Sequence, residues 1–242
     1  MSADRPGQER GAAAQQLTLA LRYPPDQRLE TYIADPAAVA QLRALAQPAA
    51  GGAVYLQGVD GAGKTHLALA TCAAAESGGG RAAYLPLQAA RGRLADALDT
   101  LEGNALVALD GLDAIAGGRA DEVALFDFHN RARSAGIAVL YTARVAPDQL
   151  PLVLPDLRSR LSQCARIVLA PLDDAGRREV LRERAQRRGL AMDDAAYDWL
   201  LRRVGRDLAG LTLLLDRLDR ASLAAKRRIT VPFLRDVLGV ER

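Results

Sequence analysis

Gly58-Val59-Asp60-Gly61-Ala62-Gly63-Lys64-Thr65 satisfies the spacing G-x-x-x-x-G-K-[ST] at every specified position. That spacing cradles the phosphates of a nucleotide, because the glycines let successive backbone N–H groups converge on one point. The helix that follows adds its positive end to the same anion site. Lys64 is expected to reach the β- and γ-phosphates, and the hydroxyl of Thr65 to hold Mg2+. The flanks fit as well: Ala53-Val54-Tyr55-Leu56-Gln57 reads as a short buried strand, and His66 to Thr71 as a helix. A glycine turn with a chance lysine would lack both flanks. The expected ligand is ATP or ADP with Mg2+, held along the run Gly58, Asp60, Gly61, Ala62, Gly63, Lys64, Thr65 and His66.

A phosphate loop needs a second acid to orient the metal. Leu106-Val107-Ala108-Leu109-Asp110 supplies one, an apolar strand ending in aspartate. Asp110 is read as a magnesium-binding carboxylate, against a strand-end carboxylate that merely caps the next turn. The following position, where an acid that polarises water is common, is Gly111, and Asp113 lies too far along to replace it. Weak hydrolysis by the chain alone is the expectation, since positioning the attacking water is a large part of phosphoryl transfer. Thr142 ends another strand and is either a hydroxyl near the γ-phosphate or a threonine bonded to backbone. Arg160 precedes the last strand, on the expected rim of the fold. Taken alone, it and Arg206 read equally well as solvated surface charges.

These groups require a scaffold of alternating strands and helices. Strands are expected at Val54–Gln57, Ala82–Pro86, Ala105–Asp110, Ile137–Thr142 and Arg166–Leu169. Helices are expected at Lys64–Glu76, Arg91–Leu101 and Asp121–Ala135, with Gly136 as a left-handed C-terminal cap. Such alternation implies an α/β fold, a parallel sheet covered on both faces with its ligand at the strand carboxyl ends. After Pro171 the strand signal stops. Helices are expected from the Asp173-Asp174 cap to Arg188, at Asp194–Val204, from about Asp207 to Lys226, and at Ile229–Leu238. The expected division is a flexible tail over 1–25, a nucleotide-binding domain over 26–170 and a small helical lid domain over 171–242.

Half of the 242 residues are hydrophobic and a quarter charged, with a formal net charge of +3. The arginines are spread through helices, which gives little sign of a nucleic-acid tract. No apolar run approaches the roughly 20 residues needed to span a bilayer, and the polar start lacks a leader's apolar stretch. Cytoplasmic residence is therefore expected, with Cys72 and Cys164 as reduced thiols. Within the polar tail, Gln16-Leu17-Thr18-Leu19-Ala20-Leu21 is an apolar island at period two. It fits an edge strand or a peptide that docks in another protein's groove. His66 and His129 suggest helix-surface or partly buried side chains.

The phosphate loop, the aspartate strand, Leu154-Pro155-Asp156-Leu157-Arg158-Ser159-Arg160-Leu161 and Gly205-Arg206-Asp207-Leu208, in this order, resemble the DnaA branch of the AAA+ ATPases. Within it the chain is similar to the Hda proteins, regulatory inactivators of DnaA. Gly63-Lys64-Thr65-His66 is shared with both groups, whereas Leu218 to Ser222 and Ile229 to Phe233 look like the Hda C-terminus. The expectation that no DNA-reading helix-turn-helix follows Arg242 also favours Hda. The tail island resembles the clamp-binding motif Q-L-x-L-P-L, departing from it at Ala20.

The resemblance implies an AAA+ fold with a five-stranded parallel sheet and a lid. It makes Thr142 the sensor 1 position, Arg206 the sensor 2 arginine, and Arg160 an arginine finger acting in trans. Gln16, Leu17, Leu19 and Leu21 become the peptide that enters the β sliding clamp of DNA polymerase III. The implied partners are DnaA and the clamp, with DNA and the nucleoid reached through the clamp, no membrane, and a possible homo-oligomer. The expected function is negative regulation of replication initiation. Two rivals remain at this point: a DnaA-like ATPase that binds DNA or loads a helicase, and an adaptor that recruits DnaA without stimulating hydrolysis.

Overall fold

The computed structural model describes residues 28–32, 35–171, 173–203, 214–215, 217–222 and 228–239. Five strands, β1 (Ala53–Gly58), β2 (Ala82–Pro86), β3 (Leu106–Asp110), β4 (Ala138–Ala143) and β5 (Ala165–Leu169), form one parallel sheet in the order β2-β3-β4-β1-β5. Around it run α1 (Pro36–Leu45), α2 (Lys64–Ser77), α3 (Leu87–Ala90), α4 (Leu94–Asp99), α5 (Arg119–Ala135) and α6 (Pro155–Ser162). Beyond β5 the described residues form α7 (Asp174–Arg187), α8 (Asp194–Arg203), a helical stretch over 217–222, and α9 (Val231–Leu238). The α/β architecture and all five expected strands are present, with ends shifted by one residue at most. None of the described helices is long and apolar enough to cross a membrane.

Strand periodicity of two sorts the side chains into two layers. Val54, Leu56, Leu106, Ala108, Ala138 and Leu140 pack with α1 and α2 on one face. Tyr55, Val107, Leu109, Val139 and Tyr141 pack with α3 to α6 on the other. α2 is buried nearly all round through Leu67, Ala68, Ala70, Thr71, Cys72 and Ala75, small or compact side chains that let it lie close over the sheet. A separate cluster holds the last helices together through Leu181, Trp199, Leu200, Leu218, Phe233 and Leu234.

Local chemistry sets the helix ends. The Asp35 carboxylate accepts from the N–H groups of Ala37 and Ala38, both at 3.0 Å, with Pro36 opening α1. Gly136, at φ 69°, ends α5 as expected. The Asp173 carboxylate caps α7 through the Gly176 N–H at 2.7 Å. The helix expected over Arg91–Leu101 is shorter, Leu94–Asp99, and a separate short helix, Leu87–Ala90, precedes it. Gly92 breaks the run at φ +78°, and Asp121, buried on α5, accepts from the N–H groups of Gly92 (2.7 Å) and Leu94 (3.3 Å). A carboxylate from a distant helix thus starts α4, which no local pattern announced. The island at Gln16, Leu17, Leu19 and Leu21, the sensor 2 candidate Arg206 and most of the helix expected over 207–226 lie outside the described residues.

Candidate nucleotide-binding site

The site assembles where β1, β3 and β4 end. Asp110 and Thr142 continue the strand parity of Ala108 and Leu140, so both side chains point to the α2 face. The pairing of Leu109 with Tyr141 and of Leu56 with Thr142 brings the strand ends level. Between β1 and α2 the loop turns through Gly61 at φ 80° and Gly63 at φ 94°, a left-handed backbone that favours glycine. Gly63 is also closely covered, since a Cβ there would fall 2.9 Å from Cε2 of Tyr32. The Tyr32 hydroxyl donates to the Ala62 carbonyl at 3.2 Å, bracing the loop from the chain's first described turn. Burial, with help from Asp35, raises its pKa to about 12, so it stays a donor.

Lys64 donates to the carbonyls of Gly58 (2.7 Å) and Val59 (2.9 Å). Desolvation lowers its pKa, opposed by the charges of Asp60, Asp113 and Asp110. The Asp110 carboxylate collects three hydroxyls: Thr65 at 2.8 Å and Tyr84 at 2.8 Å on Oδ2, and Thr142 in a short contact on Oδ1. Thr142 in turn accepts the Gly111 N–H at 2.9 Å. A hydroxyl and a carboxylate joined at 2.8 Å at the mouth of a phosphate loop are the donor set that a magnesium nucleotide uses, so Thr65 and Asp110 fit Mg2+ in chemistry. Thr142 touches backbone, as one of its two readings had it, and its hydroxyl also meets Asp110.

Gly111 has φ +88° and ψ 60°, with open space around the position of a Cβ. An acid there would be opposed by backbone conformation rather than by crowding. Asp113 is committed elsewhere, accepting the Arg144 N–H at 2.9 Å and facing the Arg144 guanidinium at 3.5 Å. Arg144 also approaches Asp60 of the loop at 3.7 Å.

His66 departs from the expected surface or partly buried histidine. It is 9% exposed, with Nε2 at 3.1 Å from the Thr31 hydroxyl and 3.3 Å from the Arg28 carbonyl. Burial, assisted by the charge of Arg184, pushes its pKa down to about 4. Its side chain ties the entering segment to α2. His129 is also buried, and its Nδ1 lies 3.0 Å from the Tyr141 hydroxyl.

Arg160 lies at the other end of the sheet. It borders a cavity with Gly52 and Ala53, where β1 begins, and with Val139, near the start of β4. Five residue steps of β1 separate that end from the phosphate loop, about 16 Å at ~3.3 Å per residue. The loop leading into α6 is held by Glu122, fully buried, which accepts from Gly117, Val153 and Leu154 N–H groups at 2.7 to 3.1 Å. Arg158, two residues before Arg160, donates to the Leu152 carbonyl and is half-buried.

Sequence reasoning missed Tyr84, Tyr32, Arg144 and Glu122. Tyr84 alone carried a signal, sharing strand parity with Ala82 on the α2 face. The others act through contacts between segments distant in sequence.

Residues 174–238 match the family model described as Hda, lid domain. The fold matches domain III of the replication initiation protein DnaA from Thermotoga maritima with a TM-score of 0.74 at 18% identity, covering 90% of this chain and 97% of that one. The C-terminal segment is thus Hda-like, and the fold of the chain is that of DnaA domain III. AMPPCP-bound DnaA from Aquifex aeolicus matches the chain with a TM-score of 0.64 at 19% identity, over 79% of its length. The chain spans 64% of that DnaA. A Thermotoga maritima RuvB variant matches at 0.56 and 20% identity, over 78% of this chain and 61% of its own. At these identities the solved structures speak to the fold.

Proposed function

We propose that this Hda-like protein is a replication regulator that binds ADP or ATP with Mg2+ and stimulates hydrolysis of ATP held by DnaA. In this reading Gly58, Asp60, Gly61, Ala62, Gly63, Lys64 and Thr65 wrap the phosphates, Thr65 and Asp110 hold the metal, Thr142 senses the γ-phosphate, and Arg206 closes from the lid. The bound metal supplies charge neutralisation on the phosphates. Lys64 exchanges its loop carbonyls for phosphate oxygens. Gln16, Leu17, Leu19 and Leu21 tether the chain to the β sliding clamp, and through it to DNA, in the cytoplasm. Residues 26–170 and 171–242 act as base and lid.

One observation carries the reading: Arg160 lies about a strand's length from this chain's own Lys64. From there its guanidinium cannot serve its own γ-phosphate but can serve a neighbour's. Its planar, permanent charge suits the oxygens on which charge develops during phosphoryl transfer. Gly111 in the place of a water-polarising acid agrees with a chain that acts on a partner's nucleotide more than on its own.

The test measures conversion of ATP-DnaA to ADP-DnaA with this protein, the clamp and DNA. The wild-type protein is expected to accelerate conversion at least tenfold. Arg160→Ala should abolish the acceleration while leaving ADP affinity and melting temperature unchanged, and Arg160→Lys should restore little. The control is Arg166→Ala on the edge strand, whose guanidinium meets only the Gln57 side chain among the hydrogen bonds of the described residues. Arg158 is less suitable, because it donates to the Leu152 carbonyl. Undiminished conversion by Arg160→Ala would remove Arg160 as the finger, whereas no acceleration by the wild-type protein would favour the adaptor reading.

A further inference from the structure

The cavity beside Arg160 has about 200 Å3 of space and lies under the starts of β1 and β4, remote from the phosphate loop. Ala53, Ile137 and Val139 give it an apolar floor. Arg133 from α5 and Arg160 from α6 stand at its rim with Gln163, and His129 and Cys164 complete the wall. No carboxylate lines it. Neither guanidinium forms an ion pair or a hydrogen bond among the described residues, while most arginines of α7 are paired with acids.

We infer that this cavity is a binding site for a small organic anion, a carboxylate or phosphate head on a compact apolar body. The charge balance supports an anion: two permanent cations converge on a space that holds no compensating acid. The floor supports an apolar body, since a purely inorganic anion would leave Ile137, Val139 and Ala53 facing water. His129 does not compete as a third cation. Burial and the charges of Arg160 and Arg133 lower its pKa, and its Nδ1 is engaged with Tyr141. It lines the cavity as a neutral ring. The size of the cavity restricts the ligand to roughly a single ring or a short branched chain. An occupant would draw Arg160 into the pocket. Competition with a partner's triphosphate for that guanidinium follows, and this consequence alone rests on the reading of Arg160 as a trans-acting finger.

The experiment titrates the full chain carrying Lys64→Ala, which removes phosphate capture by the loop, with benzoate, phenyl phosphate and neutral benzyl alcohol. Binding is followed by saturation-transfer NMR and calorimetry. At least one of the two anions is expected to bind one per chain, and the tighter one identifies the head group. Benzyl alcohol should bind at least tenfold more weakly. Arg133→Gln should weaken the anion at least tenfold, and Ala53→Leu, which fills the floor, should abolish binding; both variants are checked for unchanged melting. Modification of Cys164 should slow at saturating anion. Failure of both anions to bind overturns the inference, as does equal binding of benzyl alcohol. Binding that survives both Arg133→Gln and Ala53→Leu places the ligand elsewhere and overturns it too.

Discussion

The Thr142 hydroxyl bridges the Asp110 carboxylate and the Gly111 N–H, linking the ends of β3 and β4 at the mouth of the site. Thr142 is fully buried, so nothing replaces those partners when its hydroxyl is removed. Thr142→Val should destabilise the protein by about 1–3 kcal/mol, the cost of leaving a buried polar group unpaired. Thr142→Ser keeps the hydroxyl and should recover most of that loss. Chemical denaturation of the three proteins distinguishes the outcomes; equal stability of the valine and serine variants would contradict the bridge.

Lys64 bonds only to loop carbonyls among the described residues. Lys64→Ala should therefore change the melting temperature little and weaken ADP and ATP binding at least a hundredfold. Calorimetric titration checks this, and an unchanged affinity would remove the phosphate-loop assignment.

Gly111→Asp places an acid where a water-polarising carboxylate would be sought, but the backbone there has φ +88°. The left-handed conformation costs a non-glycine residue about 1–2 kcal/mol. The variant should be less stable by about that amount, and it should not raise the chain's own ATPase rate. A substantial gain in turnover would show that a missing acid alone limits hydrolysis.

His66 supplies a pH dependence. Its folded pKa, about 4, lies below the ordinary histidine value of 6.5. Below pH 6.5 the unfolded chain takes a proton that the folded chain refuses until about pH 4. The stabilisation is thus complete above pH 6.5 and is lost as pH falls toward 4, by about 3 kcal/mol in all. His66→Gln should flatten that part of the stability profile. Denaturation midpoints between pH 4 and pH 7.5, compared with His129→Gln, measure the share of each histidine.

Much was legible in the chain because its signals are local. Gly58 to Thr65 is a contiguous motif whose function depends on backbone turns, and the strand ending in Asp110 is a run of consecutive apolar residues. The same holds for Gly136 and Asp173, where one residue's conformational freedom or side-chain acceptor ends or starts a helix. The five strands and the position of the phosphate loop follow from such features alone.

What tertiary structure decided are pairings across long sequence separations. Tyr84 and Thr142 meet the same carboxylate from strands on either side of β3, which requires the sheet order. Asp121 starts α4 at Leu94 rather than at Arg91, because a buried carboxylate must find donors and two N–H groups lie within reach. His66 became buried only when the segment at Arg28 and Thr31 closed over α2. Arg160 acquired its cavity from the starts of β1 and β4 and from Arg133 on α5. A sequence orders residues along one dimension and so specifies turns, caps and faces. Which charges and hydroxyls become neighbours is set when packed layers bring distant segments within hydrogen-bonding distance.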